Sequence, residues 1–254
     1  MTRIIICGIL GKMGGIVMEE CFNADDVQVV AGVDIKSGVL SGIPLFQSFD
    51  DCDVKADVII DFSSPVMCEG IIKYCKATKT ALVLCTTGYS SDMLEAVDRL
   101  SKAVPVFRSA NLSFGVAVIK ALAAKIAPVL KNDFDVEIIE KHHNKKVDAP
   151  SGTALMLADS INDACGGDYE YVYERQSVRK PRGKKELGIH AVRGGTIVGE
   201  HEIIFAGTDE VITISHSAAS KTVSAKGAIT AAKLLSKQKP GRYDMDNLIA
   251  TTIK

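Results

Sequence analysis

Through the first 110 residues, short β-branched runs alternate with stretches of helical periodicity. Arg3 to Cys7 reads as a buried strand, followed by a helix from Gly14 to Cys21. Val27 to Asp34, Ala56 to Phe62, Thr80 to Cys85 and Val104 to Phe107 read as further strands. The amphipathic segments Val66 to Lys76 and Asp92 to Lys102 lie among them. Strands that are apolar throughout, rather than alternating, need both faces covered. With helices between them, they predict a parallel sheet of the α/β class.

After about residue 113 the pattern changes. A long apolar helix, Val116 to Leu130, leads into a strand from Phe134 to Lys141, and a second helix runs from Thr153 to about Cys165. Strand-like runs follow at Tyr169 to Glu174, Gly188 to Arg193, Thr196 to Ala206 and Val211 to Ser217. Turn signals at Arg193-Gly194-Gly195 and Gly207-Thr208-Asp209 predict that the last three form an antiparallel meander. The basic piece Arg179 to Lys185, with Pro181 and Gly183, reads as a mobile surface loop. A terminal helix, about Val223 to Leu235, is expected to return to the first domain.

A formal net charge of −1 gives no electrostatic case for nucleic acid or an anionic membrane. The absence of Trp argues further against base-stacking surfaces. No stretch is long and apolar enough to span a bilayer. The seven cysteines are scattered without a CxxC pair, so reduced thiols in a cytoplasmic protein are expected.

Gly8-Ile9-Leu10-Gly11-Lys12-Met13-Gly14 follows the first strand directly and opens a helix. Glycines there allow a tight turn and let backbone amides approach a pyrophosphate at the positive end of the helix dipole. The spacing is GxxGxxG, with Leu10 at the usual middle glycine, and taken alone it fits an ordinary strand–helix turn equally well. Asp34 sits twenty residues beyond Gly14 at a strand end, where a carboxylate would accept hydrogen bonds from an adenosine ribose. An acid at that position favours NADH over NADPH, whereas Lys12 and Lys36 could tolerate a 2′-phosphate. Thr86-Thr87-Gly88 and Ser109-Ala110-Asn111 follow the strands ending at Cys85 and Phe107 and are expected to face the nicotinamide half of the cofactor. Simple helix capping accounts for either loop as well.

The richest segment runs Glu137-Ile-Ile-Glu140-Lys-His142-His143-Asn-Lys-Lys146-Val-Asp148-Ala-Pro-Ser151-Gly152-Thr153-Ala154. Adjacent side chains on a strand diverge, so one histidine can serve as a proton donor while its neighbour binds or supports. Lys146 can hold a carboxylate or protonate a nascent amine. Asp148, Pro150 and Ser151 mark a helix start that leaves the amides of Gly152 and Thr153 for an anion. A packed histidine, a solvated lysine pair and a plain helix cap are the bland alternatives. Metal binding through Glu140, His142 and His143 is disfavoured, because adjacent strand histidines seldom share one ion.

These residues resemble the dihydrodipicolinate reductase family, whose signature E-x-x-E-x-H-H-x-x-K-x-D-A-P-S-G-T-A is matched across Glu137 to Ala154. Further matches are Gly8 to Gly14, Thr86-Thr87-Gly88, Asn111-Leu-Ser113-Phe-Gly115, His190-Ala-Val-Arg193-Gly194-Gly195 and Gly241-Arg-Tyr-Asp244-Met. They extend over essentially the whole chain. The resemblance implies a Rossmann-type dinucleotide-binding domain (1–112 and 223–254) and an α+β substrate-binding and oligomerisation domain (113–222) with a mixed or antiparallel sheet.

It also implies NADH- or NADPH-dependent reduction of the dicarboxylate 4-hydroxy-tetrahydrodipicolinate, in diaminopimelate and lysine biosynthesis, by a homotetramer. His142 matches the acid. Lys146 matches a second proton donor and carboxylate anchor, and His143, Gly152 and Thr153 match substrate contacts. The residues of Gly8 to Met13, Asp34, Cys85 to Thr87 and Ser109 to Leu112 match the cofactor contacts. Four departures stand out: Cys85 for a usual glycine, Leu112 for a common phenylalanine, Ile35 where NADPH users often carry arginine, and Lys221 for an arginine near the substrate. Ile35, like Asp34, favours NADH. The alternatives are another two-domain reductase, such as an amino-acid dehydrogenase, and a nucleotide sensor without turnover.

Overall fold

The computed structural model describes residues 1–252; the end of the segment expected to span 223–254 lies outside the described residues. The chain divides into two compact units, one comprising Met1–Phe114 with the segment from Thr222, the other Gly115–Lys221.

The first unit opens with β1 (Thr2–Cys7), α1 (Lys12–Phe22) and β2 (Val27–Val33), then a hairpin of β3 (Gly38–Leu40) and β4 (Ile43–Phe46). It continues through β5 (Val58–Asp61), α2 (Cys68–Thr78), β6 (Ala81–Leu84), α3 (Ser91–Ser101) and β7 (Pro105–Arg108). The helix α4 (Phe114–Leu130) leads out of it into the second unit.

The second unit adds β8 (Asp135–His142), α5 (Gly152–Ala164), β9 (Glu170–Val172), β10 (Glu186–Arg193), β11 (Gly199–Ala206) and β12 (Val211–Ala218). The chain then completes the first unit with α6 (Thr222–Leu235), β13 (Gly241–Tyr243) and α7 (Met245–Thr252). No helix among the described residues is long and apolar enough to cross a membrane.

The eight-stranded sheet of the first unit runs β13-β7-β6-β5-β1-β2-β4-β3, and every neighbouring pair except β3–β4 is parallel. Ile4, Ile5, Ile6, Ile59, Ile60 and Val83 are fully buried, as strands covered on both faces require. The hairpin escaped the sequence reading, although Ser41 and Gly42 both take positive φ (51° and 83°), the conformation of a two-residue hairpin turn. The seven cysteines are unpaired and all but the half-buried Cys85 lie in the interior, where they pack as small apolar groups.

Close packing fixes one glycine of α6. A Cβ on Gly227 would stand 1.7 Å from the carbonyl oxygen of Leu112. Alanine inside a helix normally gains about 1 kcal/mol over glycine, but a backbone oxygen cannot swing aside as a side chain can. Gly227→Ala is therefore expected to destabilise by about 1–3 kcal/mol, read as a lower urea midpoint with unchanged slope.

In the second unit the five strands lie in the order β12-β11-β8-β10-β9. Alternate residues of β8 and β11 (Val136, Ile138, Ile203 and Phe205) turn onto α4 and α5, joining Ile119, Ala123, Leu157 and Ile161 in one core. The expected meander is corrected here. β11 and β12 are antiparallel neighbours, but β8 lies between β10 and β11, parallel to the first and antiparallel to the second. The Gly194-Gly195 turn crosses the end of β8 instead of closing a hairpin. Gly194 N–H donates to the His142 carbonyl at 2.9 Å, and Asn144 N–H to the Gly195 carbonyl at 3.2 Å.

The basic piece Arg179 to Lys185 is an exposed loop held at one point. Arg182 is tied down by Asp135 and Glu137 (2.8 and 2.9 Å) and by the carbonyl of Val136 (3.0 Å), while Arg175 bridges Glu137 and Glu186. Acids on the outer side of β8 and at the start of β10 fix these two cations, so Arg182 pins an otherwise exposed loop to the sheet.

Candidate active site

Parallel strands end together, so the C-terminal edge of the first sheet gathers the loops predicted to meet a dinucleotide. Gly8 follows β1 with φ +80°, and a Cβ there would lie 2.7 Å from the Phe62 carbonyl oxygen. At Gly14 it would lie 2.0 Å from the Gly8 carbonyl oxygen. The turn thus needs glycine at both positions.

The cap of α1 is Gly11, which offers no side-chain acceptor, and no acidic residue occupies the first turn. That leaves the positive end of the helix dipole available to an anion carried by a ligand. Leu10 and Lys12 are exposed on this loop, Met13 is half-buried, and Ile9 is in the core. The fit to a dinucleotide pyrophosphate is good on these grounds.

Asp34 is half-buried at the end of β2, and its carboxylate accepts from Leu10 N–H at 2.8 Å and Ile35 N–H at 2.7 Å. A carboxylate has about four acceptor sites, so it retains capacity for ribose hydroxyls while bracing the glycine loop. Ile35 is 80% exposed and brings no positive charge.

Cys85, Thr86 and Thr87 follow β6, with the Thr86 hydroxyl donating to the Asp61 carbonyl at 3.4 Å. Ser109, Ala110 and Asn111 follow β7, closed by Ser109 Oγ to the Asn111 carbonyl (2.8 Å) and Ser113 N–H to Asn111 Oδ1 (2.7 Å). Leu112 is 7% exposed and its carbonyl abuts Gly227, so its side chain belongs to the interior. The sequence reading missed Asp61, fully buried at the end of β5. It accepts from Ser63 N–H at 3.0 Å, from the Ser63 hydroxyl and from Tyr89 OH at 3.2 Å, and so ties together two loops of this edge.

In the second unit, β8 delivers the histidines. The side chain of His142 is 11% exposed, and its Nδ1 lies 2.6 Å from Oε2 of Glu140. Glu140, fully buried, is held further by both arms of Arg193 (2.7 Å each) and by Ser151 N–H at 2.9 Å. Burial would raise its carboxyl, but the hydrogen bonds from Arg193, His142 and Ser151 outweigh that and hold it below the usual carboxylate range. A carboxylate so committed has no role as a metal ligand. Arg193 also donates to the Asp148 carbonyl at 2.6 Å, binding the far end of the histidine loop to the same acid.

His143 stands beside His142 with its Nδ1 buried and without a hydrogen-bond partner among the described residues. Lys146 is ion-paired with Asp148 at 2.8 Å, and Asp148 is well exposed. Ser151 caps α5 through Oγ, which accepts from Ala154 N–H at 3.2 Å. The amides of Gly152 and Thr153 lie in the first turn of α5, ahead of the first helical bond from Leu155 N–H to the Ser151 carbonyl (3.1 Å), which places them at its positive end.

His201 went unnoticed in the sequence because it occupies one alternating position of an ordinary strand. It is 4% exposed, meets the His142 ring edge-on at 5.3 Å between centroids, and lies 3.2 Å from Ser151 Oγ. Burial first, and then the positive charge of a protonated His142, push its pKa down to about 4.

The consequence for stability has a definite sign. An unfolded histidine binds its proton near pH 6.5, whereas folded His201 does so near 4. Its contribution is complete above about pH 6.5 and is lost as pH falls toward 4. Thermal melts across that range should show a decline in Tm that is shallower in His201→Gln. Equal slopes would contradict this assignment.

Comparisons with known proteins match the chain over nearly its whole length. The family model described as dihydrodipicolinate reductase, N-terminus, matches residues 2–112, and the one described as dihydrodipicolinate reductase, C-terminus, matches residues 115–249. The chain is similar to the 4-hydroxy-tetrahydrodipicolinate reductase of Clostridium tetani (strain Massachusetts / E88). The two are 47% identical over 98% of this chain and 97% of that protein. The protein of the same name from Caldanaerobacter subterraneus subsp. tengcongensis is 49% identical over 98% of each chain. A solved dihydrodipicolinate reductase from Paenisporosarcina sp. TG-14, bound to dipicolinate, shares the fold with a TM-score of 0.83 at 24% identity. That match covers 98% of this chain and 99% of the other. On its motifs, both family models and relatives matched over nearly full length, the chain belongs to the dihydrodipicolinate reductase family.

Proposed function

We propose that the protein reduces 4-hydroxy-tetrahydrodipicolinate to tetrahydrodipicolinate with NADH or NADPH, in diaminopimelate and lysine biosynthesis. The observation that carries this is the single loop of β8 and α5, which presents a carboxylate-oriented histidine, a lysine and a helix N-terminus together. Reduction consumes one hydride and one proton and releases one water. The nicotinamide, when bound, supplies the hydride.

The chain's own residues do the rest. Lys146 exchanges Asp148 for one substrate carboxylate, and the amides of Gly152 and Thr153, with the Thr153 hydroxyl, take an anion at the start of α5. His143 contacts the substrate beside them, and His142 donates the proton. Gly8, Ile9, Leu10, Gly11, Lys12 and Met13 form the pyrophosphate turn and Asp34 binds the ribose, while Cys85, Thr86, Thr87, Ser109, Ala110, Asn111 and Leu112 border the nicotinamide.

The Asp34 carboxylate and the neutral Ile35 support NADH as the better donor, because a 2′-phosphate would sit against a negative charge. The seven unpaired cysteines support a cytoplasmic setting. A homotetramer is supported by the side of the second sheet away from α4 and α5. There Ile139, Val192 and Ile204 are left partly exposed between charged side chains.

The test is nicotinamide oxidation with NADH and NADPH in parallel, the substrate being generated from pyruvate and aspartate semialdehyde by the preceding synthase. Oxidation that depends on the synthase, with the larger kcat/KM for NADH, is expected. Cofactor binding without oxidation would favour a nucleotide sensor.

A further inference from the structure

We infer that Glu140 is a positioning residue that fixes His142 with its proton on Nδ1, making Nε2 the nitrogen that exchanges a proton with the substrate. The inference rests on the reading of His142 as the acid. It begins with the number of donors on Glu140. Arg193 supplies two N–H groups at 2.7 Å, and Ser151 supplies a backbone N–H at 2.9 Å. Three donors aimed at one buried carboxyl keep it ionised, and an ionised carboxylate can only accept. The 2.6 Å contact to His142 must then be Nδ1–H donating to Oε2.

The opposite nitrogen follows by elimination. Nε2 is the side of the ring that carries no proton when the imidazole is neutral and carries one when it is charged. Its surroundings are kept clear by Gly199, where a Cβ would stand 3.1 Å from Nε2. The ring itself meets Glu140 on β8 and His201 on β11; Arg193 on β10 reaches the same carboxylate, and Lys146 and His216 act electrostatically on His201. His201 stays neutral near pH 7 and pairs with Ser151 Oγ, so it adds no positive charge beside the ring. A bare salt bridge between β8 and β10 would need Arg193 and Glu140 alone, and would not need the ring nitrogen at 2.6 Å.

The experiment uses the full chain, labelled with 15N-histidine, and magic-angle-spinning NMR at a pH where imidazoles are neutral. With five histidines in the chain, His142 is assigned by its loss in His142→Gln. Wild type should show His142 protonated at Nδ1 and bare at Nε2. Glu140→Gln should mix the two tautomers and lower kcat about 10- to 1000-fold, with KM for the dicarboxylate and Kd for NADH within about twofold. A wild-type ring protonated at Nε2 overturns the inference outright, even if Glu140→Gln fails to fold. So does Glu140→Gln with full kcat, which would leave Glu140 a structural ion pair only. The spectra need no substrate. Failure of the reductase assay would therefore count against the proposed reaction, and the tautomer would still decide the Glu140–His142 pairing.

Discussion

His142→Gln should lower kcat by about 10²–10⁴-fold, the range a positioned general acid contributes, while cofactor affinity stays unchanged. Glutamine keeps much of the shape of the ring and can hydrogen-bond to Glu140, so the second unit should fold as before. What is lost is the imidazole proposed to give the proton. The loops proposed to hold the cofactor belong to the other unit, after β1, β2, β6 and β7, which is why NADH binding should not respond. Steady-state kinetics with NADH titration measures both quantities. Full turnover in this variant would remove His142 from the chemistry, and Glu140 with it.

Lys146→Ala should damage two quantities at once. A hydrogen bond to a charged group is worth about 1.5–3 kcal/mol, and one that anchors a substrate carboxylate acts in both ground and transition states. The expected result is a KM for the dicarboxylate raised about 10- to 100-fold, together with a lower kcat from the lost second donor. Asp148 gives the prediction a control. The Lys146 side chain beside it holds its carboxyl below the usual range, but it is more than half exposed, so the pair in the free enzyme adds little stability. Thermal stability of Lys146→Ala should therefore stay close to wild type. A large drop in Tm would mean that Lys146 is structural instead.

The local patterns of this fold were readable because their cause is local. Ile4 to Cys7, Val58 to Asp61 and Ala81 to Leu84 are apolar runs buried on both faces, and a run of that kind has few other uses. The glycine turn was legible for the same reason: Gly8 and Gly14 lie six residues apart and touch each other.

Pairing between distant strands was not legible. Nothing in β10 or β11 announces that β8 inserts between them, because register partners such as Ile189 and Ile138 are fifty-one positions apart. The same distance hid the part of the candidate site that orients it. Glu140 stood out only as a motif residue and a possible ligand, and Arg193 only as a motif residue at a strand end and turn. The union of Arg193 with Glu140 depends on β8 and β10 lying side by side. Cations that look solvated in sequence, such as Arg182, find acids on β8 more than forty residues earlier. The short strands β3 and β13 carry three residues each, too few for a period to register.

The most direct measurement is the mass of the product formed from nicotinamide carrying deuterium at the transferable position. The protein is incubated with the labelled dinucleotide, pyruvate, aspartate semialdehyde and synthase, and the products are weighed. Tetrahydrodipicolinate about one mass unit heavier than with unlabelled cofactor, absent when the synthase is omitted, is the predicted result. Oxidised cofactor with no deuterium in that product, or no product despite bound cofactor, would contradict the assignment of this chain as the reductase.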